Sequence, residues 1–121
     1  SRHIERTKAL LYIVDAAGVD GRDPMEDLHI LIDEIASYGD GVMMKRQALV
    51  VANKLDLIHD DEQRNDILIN IALAAEQAGL KFSGDVFGIS AGVTGEGLAP
   101  LSRAMRNIVI ECENNQIISE E

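Results

Sequence analysis

Three short runs constrain the fold of this chain more than anything else in it: "ALLYIVD" (9–15), "QALVVAN" (47–53) and "DVFGIS" (85–90). They are apolar or β-branched for most of their length, and each ends on a polar residue. Continuous apolarity, rather than strict alternation, suits strands that are covered on both faces, as in a parallel sheet. Each run is followed by a helical pattern, so the expected order is βαβαβα. The expected fold class is α/β, with a three-stranded parallel sheet. Right-handed crossovers then bring the carboxyl ends of all three strands to one rim.

The helical patterns carry their own punctuation. The first opens with Asp23 as N-cap, Pro24 at the first helical position and Glu26 three residues on, a capping-box spacing. Leu28, Leu31, Ile32 and Ile35 share one face, and Gly39 is a natural stop. The second spans about 61–78, with Ile67, Ile71, Ala74 and Ala78 inward, and ends at Gly79. The third follows Gly97 and carries Leu98, Leu101, Met105, Ile108 and Cys112 as its stripe. From 114 to 121 it fades into an acidic segment expected to fray. Met43 and Met44 are expected to fill the core beneath the second strand or a loop.

Composition narrows the function classes. At 121 residues the chain is one domain at most. Its net charge of −10 argues against a free-standing binder of phosphate backbones, whose affinity comes from Lys and Arg. No apolar run reaches membrane-spanning length, so no membrane partner is expected. The lone Cys112 excludes an internal disulfide and fits a reducing, intracellular compartment. His3, His29 and His59 are scattered without metal-ligand spacing, so no metal site is expected from them. The chain opens on Ser1, with "RHIERTK" leading at once into the first strand, which suggests a cut inside a domain.

Polar groups at the strand ends mark a candidate site, because ligands of open α/β sheets bind outside the carboxyl ends of the strands. The rim is expected to hold Asp15, the stretch Asn53, Lys54, Leu55 and Asp56, and the pair Ser90 and Ala91, with Gly92 beside them. An Asp carboxylate accepts two hydrogen bonds side by side. Guanine offers that pair of donors, its N1–H and its exocyclic amine, whereas adenine has an acceptor at the ring nitrogen and no amine next to it. Asn53 can tie the loop to the other edge of the base. The apolar stem of Lys54 can lie across a purine face while its ammonium reaches elsewhere. The Ala91 backbone N–H would be free to donate to the guanine carbonyl. Asp15 is expected to cap the loop after its strand rather than to do acid–base work.

These residues match two guanine-specificity motifs of P-loop GTPases, N-K-x-D at 53–56 and S-A at 90–91. With "RHIERTKALLYIVDAAGVDGRDPMEDL", "VVANKLDL" and "GISAGVTGEGL" around them, residues 2 to about 110 resemble the Obg family of GTPases. The resemblance is to the second half of that family's Ras-like G domain, and it implies a domain running over 1–121. It implies binding of GTP or GDP with Mg²⁺, GTP hydrolysis by the parent protein, and a role in assembling the large ribosomal subunit on its rRNA. The compartment would be cytoplasm in a bacterium and the mitochondrial matrix in a eukaryote.

The phosphate-handling parts are another matter. G-x-x-x-x-G-K-[ST] does not occur, since none of Lys8, Lys45, Lys54 and Lys81 follows glycine. D-x-x-G occurs at 15–18 and 85–88, in both cases by accident of a strand. The resemblance puts the P-loop, the switches and the Mg²⁺ ligands before Ser1. This chain alone is therefore expected not to hydrolyse GTP, because phosphoryl transfer depends on positioning and charge stabilisation by those groups. No catalytic residue is expected within it.

Two other classes fit parts of the pattern. A non-catalytic interaction module derived from a GTPase would keep the rim without turnover. A receiver-like signalling domain would use Asp15, Lys54 and Ser90, although the order of its motifs is wrong here. In the half G domain the 9–15 strand is expected to be a bare edge, where the missing first strand would pair, so the piece produced by itself is expected to have low stability or to dimerise across that edge.

Overall fold

The computed structural model describes residues 9–92 and 94–120, with side chains as far as Cys112. Strand β1 (Ala9–Asp15) pairs in parallel with β2 (Gln47–Asn53), and β2 pairs in parallel with β3 (Val86–Gly88), giving the order β1-β2-β3. The apolar runs form the sheet because each is covered. The middle strand β2 is buried from Ala48 to Ala52, which accounts for its lack of any polar alternation.

Each face of the sheet has its own core. Helix α1 (Pro24–Ala36) and helix α2 (Asp61–Gln77) cover one face, where Leu28, Ile32, Ile71, Ala74 and Ala75 pack on Tyr12, Val14, Ala48, Val50 and Ala52. Met44 packs against the same core, and the Tyr12 hydroxyl lies 3.9 Å from its sulfur. Helix α3 (Leu98–Glu120) covers the other face. There Leu101 joins Leu49, Val51 and Ile89, with Phe87, Ala104 and Ile108 around them.

Several local expectations are revised. Asp23 is the N-cap of α1, but its side chain makes no cap hydrogen bond, so the Asp23–Glu26 capping box does not form. Buried Pro24 fixes the helix entry. The acidic first turn faces the positive end of the helix, and Arg22 pairs with Asp27 at 3.2 Å. Helix α1 stops at Ala36 rather than at Gly39. Ser37 caps it, donating its hydroxyl to the Glu34 carbonyl, and a 3-10 stretch (Tyr38–Lys45) leads to β2. Leu98 and Met105, one heptad apart on α3, are exposed, because the helix seats the 101, 104 and 108 positions over β2 and β3. The third strand is shorter than 85–90. Ile89 still donates to the Ala52 carbonyl, and the chain then turns so that Ser90 bridges antiparallel to Glu96. The helical backbone of α3 runs to Glu120, and the fraying expected over 114–121 falls mostly on side chains that are not described. The side chains beyond Cys112 and all of Glu121 lie outside the described residues.

Among the described residues no helix is long and apolar enough to cross a membrane. Among the described residues strand β1 pairs only with β2, and its Leu11 and Ile13 side chains are 41% and 49% exposed.

Candidate functional site

The carboxyl ends of the strands meet at one rim, and hydrogen bonds extend the ladders past the strand ends onto it. Ala16 N–H donates to the Asn53 carbonyl (2.9 Å), and Leu55 N–H donates to the Ile89 carbonyl (3.1 Å). These bonds register the loop after each strand against its neighbour. All the rim residues expected from the sequence are thus brought together: Asp15, Asn53, Lys54, Asp56, Ser90 and Ala91, with exposed Gly92 following.

Asn53 lies at the centre of the arrangement. Its side-chain Oδ1 accepts from its neighbour's backbone, Lys54 N–H at 2.8 Å, and from Ala91 N–H at 3.2 Å, 38 residues away. This corrects one expectation. The Ala91 N–H is not free for a ligand here, because Asn53 uses it to fasten the two loops to each other. The physical reason is proximity: β2 and β3 are neighbours, so their terminal loops share one small space and satisfy each other's polar groups.

Ser90 is 1% exposed, and its hydroxyl accepts the Asp56 N–H at 3.0 Å. It holds the backbone of the Asp56 loop from below. Asp56 lies in a single 3-10 turn (Leu55–Leu57) and is half-buried. Among the described residues no hydrogen bond or ion pair reaches its carboxylate. The backbone is pinned and the side chain's acceptors are left open.

Lys54 adopts a left-handed conformation at φ 67°, which costs a residue with a Cβ. The turn sends its chain back over the rim, and its Nζ meets Asp15 Oδ2 at 3.2 Å. Asp15 is fixed in turn by three backbone donors, Ala17 and Gly18 on Oδ1 and Val19 on Oδ2, which is the loop-capping role expected of it. Burial pushes the Asp15 carboxyl up. The hydrogen bonds from Lys54, Val19 and Ala17 and the Lys54 charge outweigh that, leaving it below the usual carboxylate value.

A carboxyl lowered in the folded state adds stability that is fully present above its unfolded value of about 3.9 and fades as pH falls through the folded one. Asp15→Asn is therefore expected to lose about 1–2 kcal/mol at neutral pH, from charge-assisted bonds. In urea unfolding followed by circular dichroism, the gap to wild type should narrow as pH is taken below about 4. A gap that does not change with pH would mean that the Asp15 charge contributes nothing.

Two features of the rim were not expected. The Lys54–Asp15 pair spans 39 residues, and Arg64, in the first turns of α2, reaches both rim loops. No sequence signal marks either contact. Among the described residues no group of three or more His, Cys, Asp and Glu is placed to hold a metal ion.

No family model matches the chain. Curated proteins do resemble it. It is 35% identical over 120 residues to the GTPase Obg of Lachnoclostridium phytofermentans, an alignment covering 99% of this chain and 26% of that protein. The GTPase Obg of Protochlamydia amoebophila is 39% identical over 104 residues, covering 86% of this chain and 28% of that one. That of Desulforudis audaxviator is 38% identical over an alignment of 126 residues, covering 99% and 27%. The chain thus spans about a quarter of the length of these relatives, and the matching stretch takes in the sheet and its rim. Identity at this level over nearly the whole chain, with N-K-L-D and S-A at adjacent strand ends, places it: this chain belongs to the Obg family and represents a portion of its P-loop GTPase G domain.

Proposed function

We propose that the rim recognises the guanine base of GTP and GDP, with Asp56 accepting from N1–H and the exocyclic amine. The observation that carries this is the Asp56 carboxylate, which has no partner among the described residues while its backbone N–H is held by Ser90 Oγ at 3.0 Å. A half-buried acceptor pair left open on a fixed backbone fits a flat ligand with two adjacent donors. Lys54, with its ammonium drawn to Asp15, leaves its stem to lie along the base. Asn53, Ser90 and Ala91 set the distance between the two loops, and Gly92 leaves the mouth of the site uncrowded, with open space where a Cβ would stand.

The test is a titration of the ¹⁵N-labelled chain with GDP and with ADP. Amide shifts at Asn53, Asp56, Ala91 and Gly92 that respond to GDP alone are expected. An equal response to ADP would overturn the reading.

The rest of the proposal concerns the whole protein. The relatives are named GTPase Obg, and these 121 residues are proposed to be the second half of a GTP-hydrolysing G domain. The P-loop, the switches and the Mg²⁺ ligands are supplied by residues other than these. The sequence holds no G-x-x-x-x-G-K-[ST], and on that ground the segment is proposed to bind and orient the base without hydrolysing GTP by itself. The parent is proposed to work in a reducing compartment on the large ribosomal subunit and its rRNA. The single cysteine and the family membership support these points.

Among the described residues no strand pairs with the outer edge of β1, and Leu11 and Ile13 are exposed, which supports self-association when the chain is produced alone. Sedimentation should show a dimer that grows with concentration, or else a shallow unfolding transition. A monomer at every concentration with a sharp transition would refute this.

A further inference from the structure

The two loops at the rim are joined by a contact that the base-recognition motifs do not include. Arg64 sits in the first turns of α2, half-buried, and its side chain forks. Nε donates to the Ile58 carbonyl at 2.6 Å, and one terminal nitrogen donates to Glu96 Oε1 at 3.2 Å. Ile58 ends the turn that carries Asp56, its N–H bonding back to the Leu55 carbonyl at 3.0 Å. Glu96 ends the loop that begins at Ser90, its carbonyl accepting from Ser90 N–H at 3.0 Å. The Ser90 hydroxyl in turn accepts from Asp56 N–H. The bonds form a closed ring: Asp56 to Ser90, Ser90 to Glu96, Glu96 to Arg64, Arg64 to Ile58, and Ile58 back to the turn holding Asp56.

We propose that Arg64 is a positioning residue for guanine specificity: it closes this ring and thereby fixes the angle at which Asp56 faces the base. The inference rests on the reading of Asp56 as the guanine acceptor. A helix needs nothing of the kind from this side chain, since the Arg64 backbone N–H already bonds to the Asp60 carbonyl. The planar guanidinium presents donors in fixed, diverging directions, so one residue serves a backbone carbonyl on one loop and a carboxylate on the other. With the clasp open, the Asp56 turn keeps its bond to Ser90 but can pivot about it. A pair of parallel hydrogen bonds suffers most from such a pivot, because both must be met at once.

The discriminating ligand is IDP, which has the N1–H of guanine but lacks the exocyclic amine. Affinities for GDP, IDP and ADP are measured on the native polypeptide with Arg64→Gln and, separately, Glu96→Ala. Glu96 is exposed at the surface, so its replacement leaves the core untouched. The wild type is expected to prefer GDP to IDP. That preference should fall about fivefold in Arg64→Gln and about two- to threefold in Glu96→Ala, while IDP binding changes less than GDP binding. If both variants keep the wild-type GDP to IDP ratio, Arg64 acts only on stability and the proposal fails while the guanine reading stands. If Arg64→Gln does not fold, the ratio in Glu96→Ala decides in the same way. If the wild type does not distinguish GDP from ADP, the guanine reading is lost and this inference falls with it.

Discussion

Replacing Asp56 by Asn is expected to turn the site from guanine toward xanthine. Asp56 offers two acceptors, and guanine meets them with two donors, N1–H and the exocyclic amine. Asn offers one acceptor and one donor, so guanine's second donor would face an NH₂ group. Xanthine carries a carbonyl where guanine has the amine, and this arrangement matches Asn. A donor left unpaired in a half-buried site costs about 1–3 kcal/mol, more where a charged partner is lost, so GDP binding should weaken about a hundredfold while XDP binding strengthens. Competition of GDP, XDP and ADP against a fluorescent guanine nucleotide on the native polypeptide reads this directly. The fold itself should not respond. The Asp56 carboxylate has no partner among the described residues, and its backbone bond to Ser90 is kept, so the unfolding free energy should stay within about 0.5 kcal/mol of wild type. A variant that still prefers GDP would remove Asp56 from the base contact. One that loses stability instead would show that the carboxylate serves the fold.

What the sequence made legible, and what it concealed, follows the reach of each interaction. The strands could be read because their apolarity has a single cause, coverage on both faces, which acts on every residue of β2 from Ala48 to Ala52. The inward positions Leu28 and Ile32 on α1 and Ile71 and Ala74 on α2 follow from helical period alone. The rim followed from topology, since parallel strands must end together. The geometry within the rim had no such rule. Asn53 meets Ala91 across 38 residues, Lys54 meets Asp15 across 39, and Arg64 meets Glu96 across 32, and nothing in the spacing selects those partners over others. Short-range signals can mislead as well. The Asp23–Glu26 spacing fits a capping box, yet the cap is not made where Pro24 already fixes the entry and Arg22 draws Asp27. On α3, period alone gives Met105 and Ile108 equal standing in a stripe, and only the seat on β2 and β3 turns Leu101, Ala104 and Ile108 inward and leaves Met105 out.

Gly97→Ala is expected to damage the site from beneath, through the backbone. Gly97 has φ +80°, where an L-residue is strained, and a Cβ there would collide with the Gly88 carbonyl at the end of β3 and press on Ile89. The hard obstacle is the backbone of Gly88, and the Ile89 atom met is its Cγ2 methyl, held close to a fixed backbone. The Gly88 carbonyl belongs to the sheet, and Ile89 bonds to Ala52 through its N–H and to Leu55 through its carbonyl, so it cannot retreat without releasing both. The methyl must therefore push the start of α3 away from β3, and Glu96, its neighbour in the chain, moves with it. Ser90 then loses its bridge to Glu96, and the Asp56 turn loses the partner beneath it. Left-handed strain with a backbone collision should cost about 2–4 kcal/mol, at the high end for a single methyl group. Gly92→Ala is the control in the same loop: a Cβ there meets nothing within 4 Å and no left-handed φ is involved, so stability should be close to wild type. Urea unfolding of both variants by circular dichroism, paired with the GDP titration, separates the outcomes. A Gly97→Ala chain as stable as wild type would mean that α3 need not abut β3, and the shape of the loop that holds Asp56 would then not depend on that contact. A chain that is destabilised and has lost its guanine response would tie base recognition to the packing of one helix terminus on one strand end.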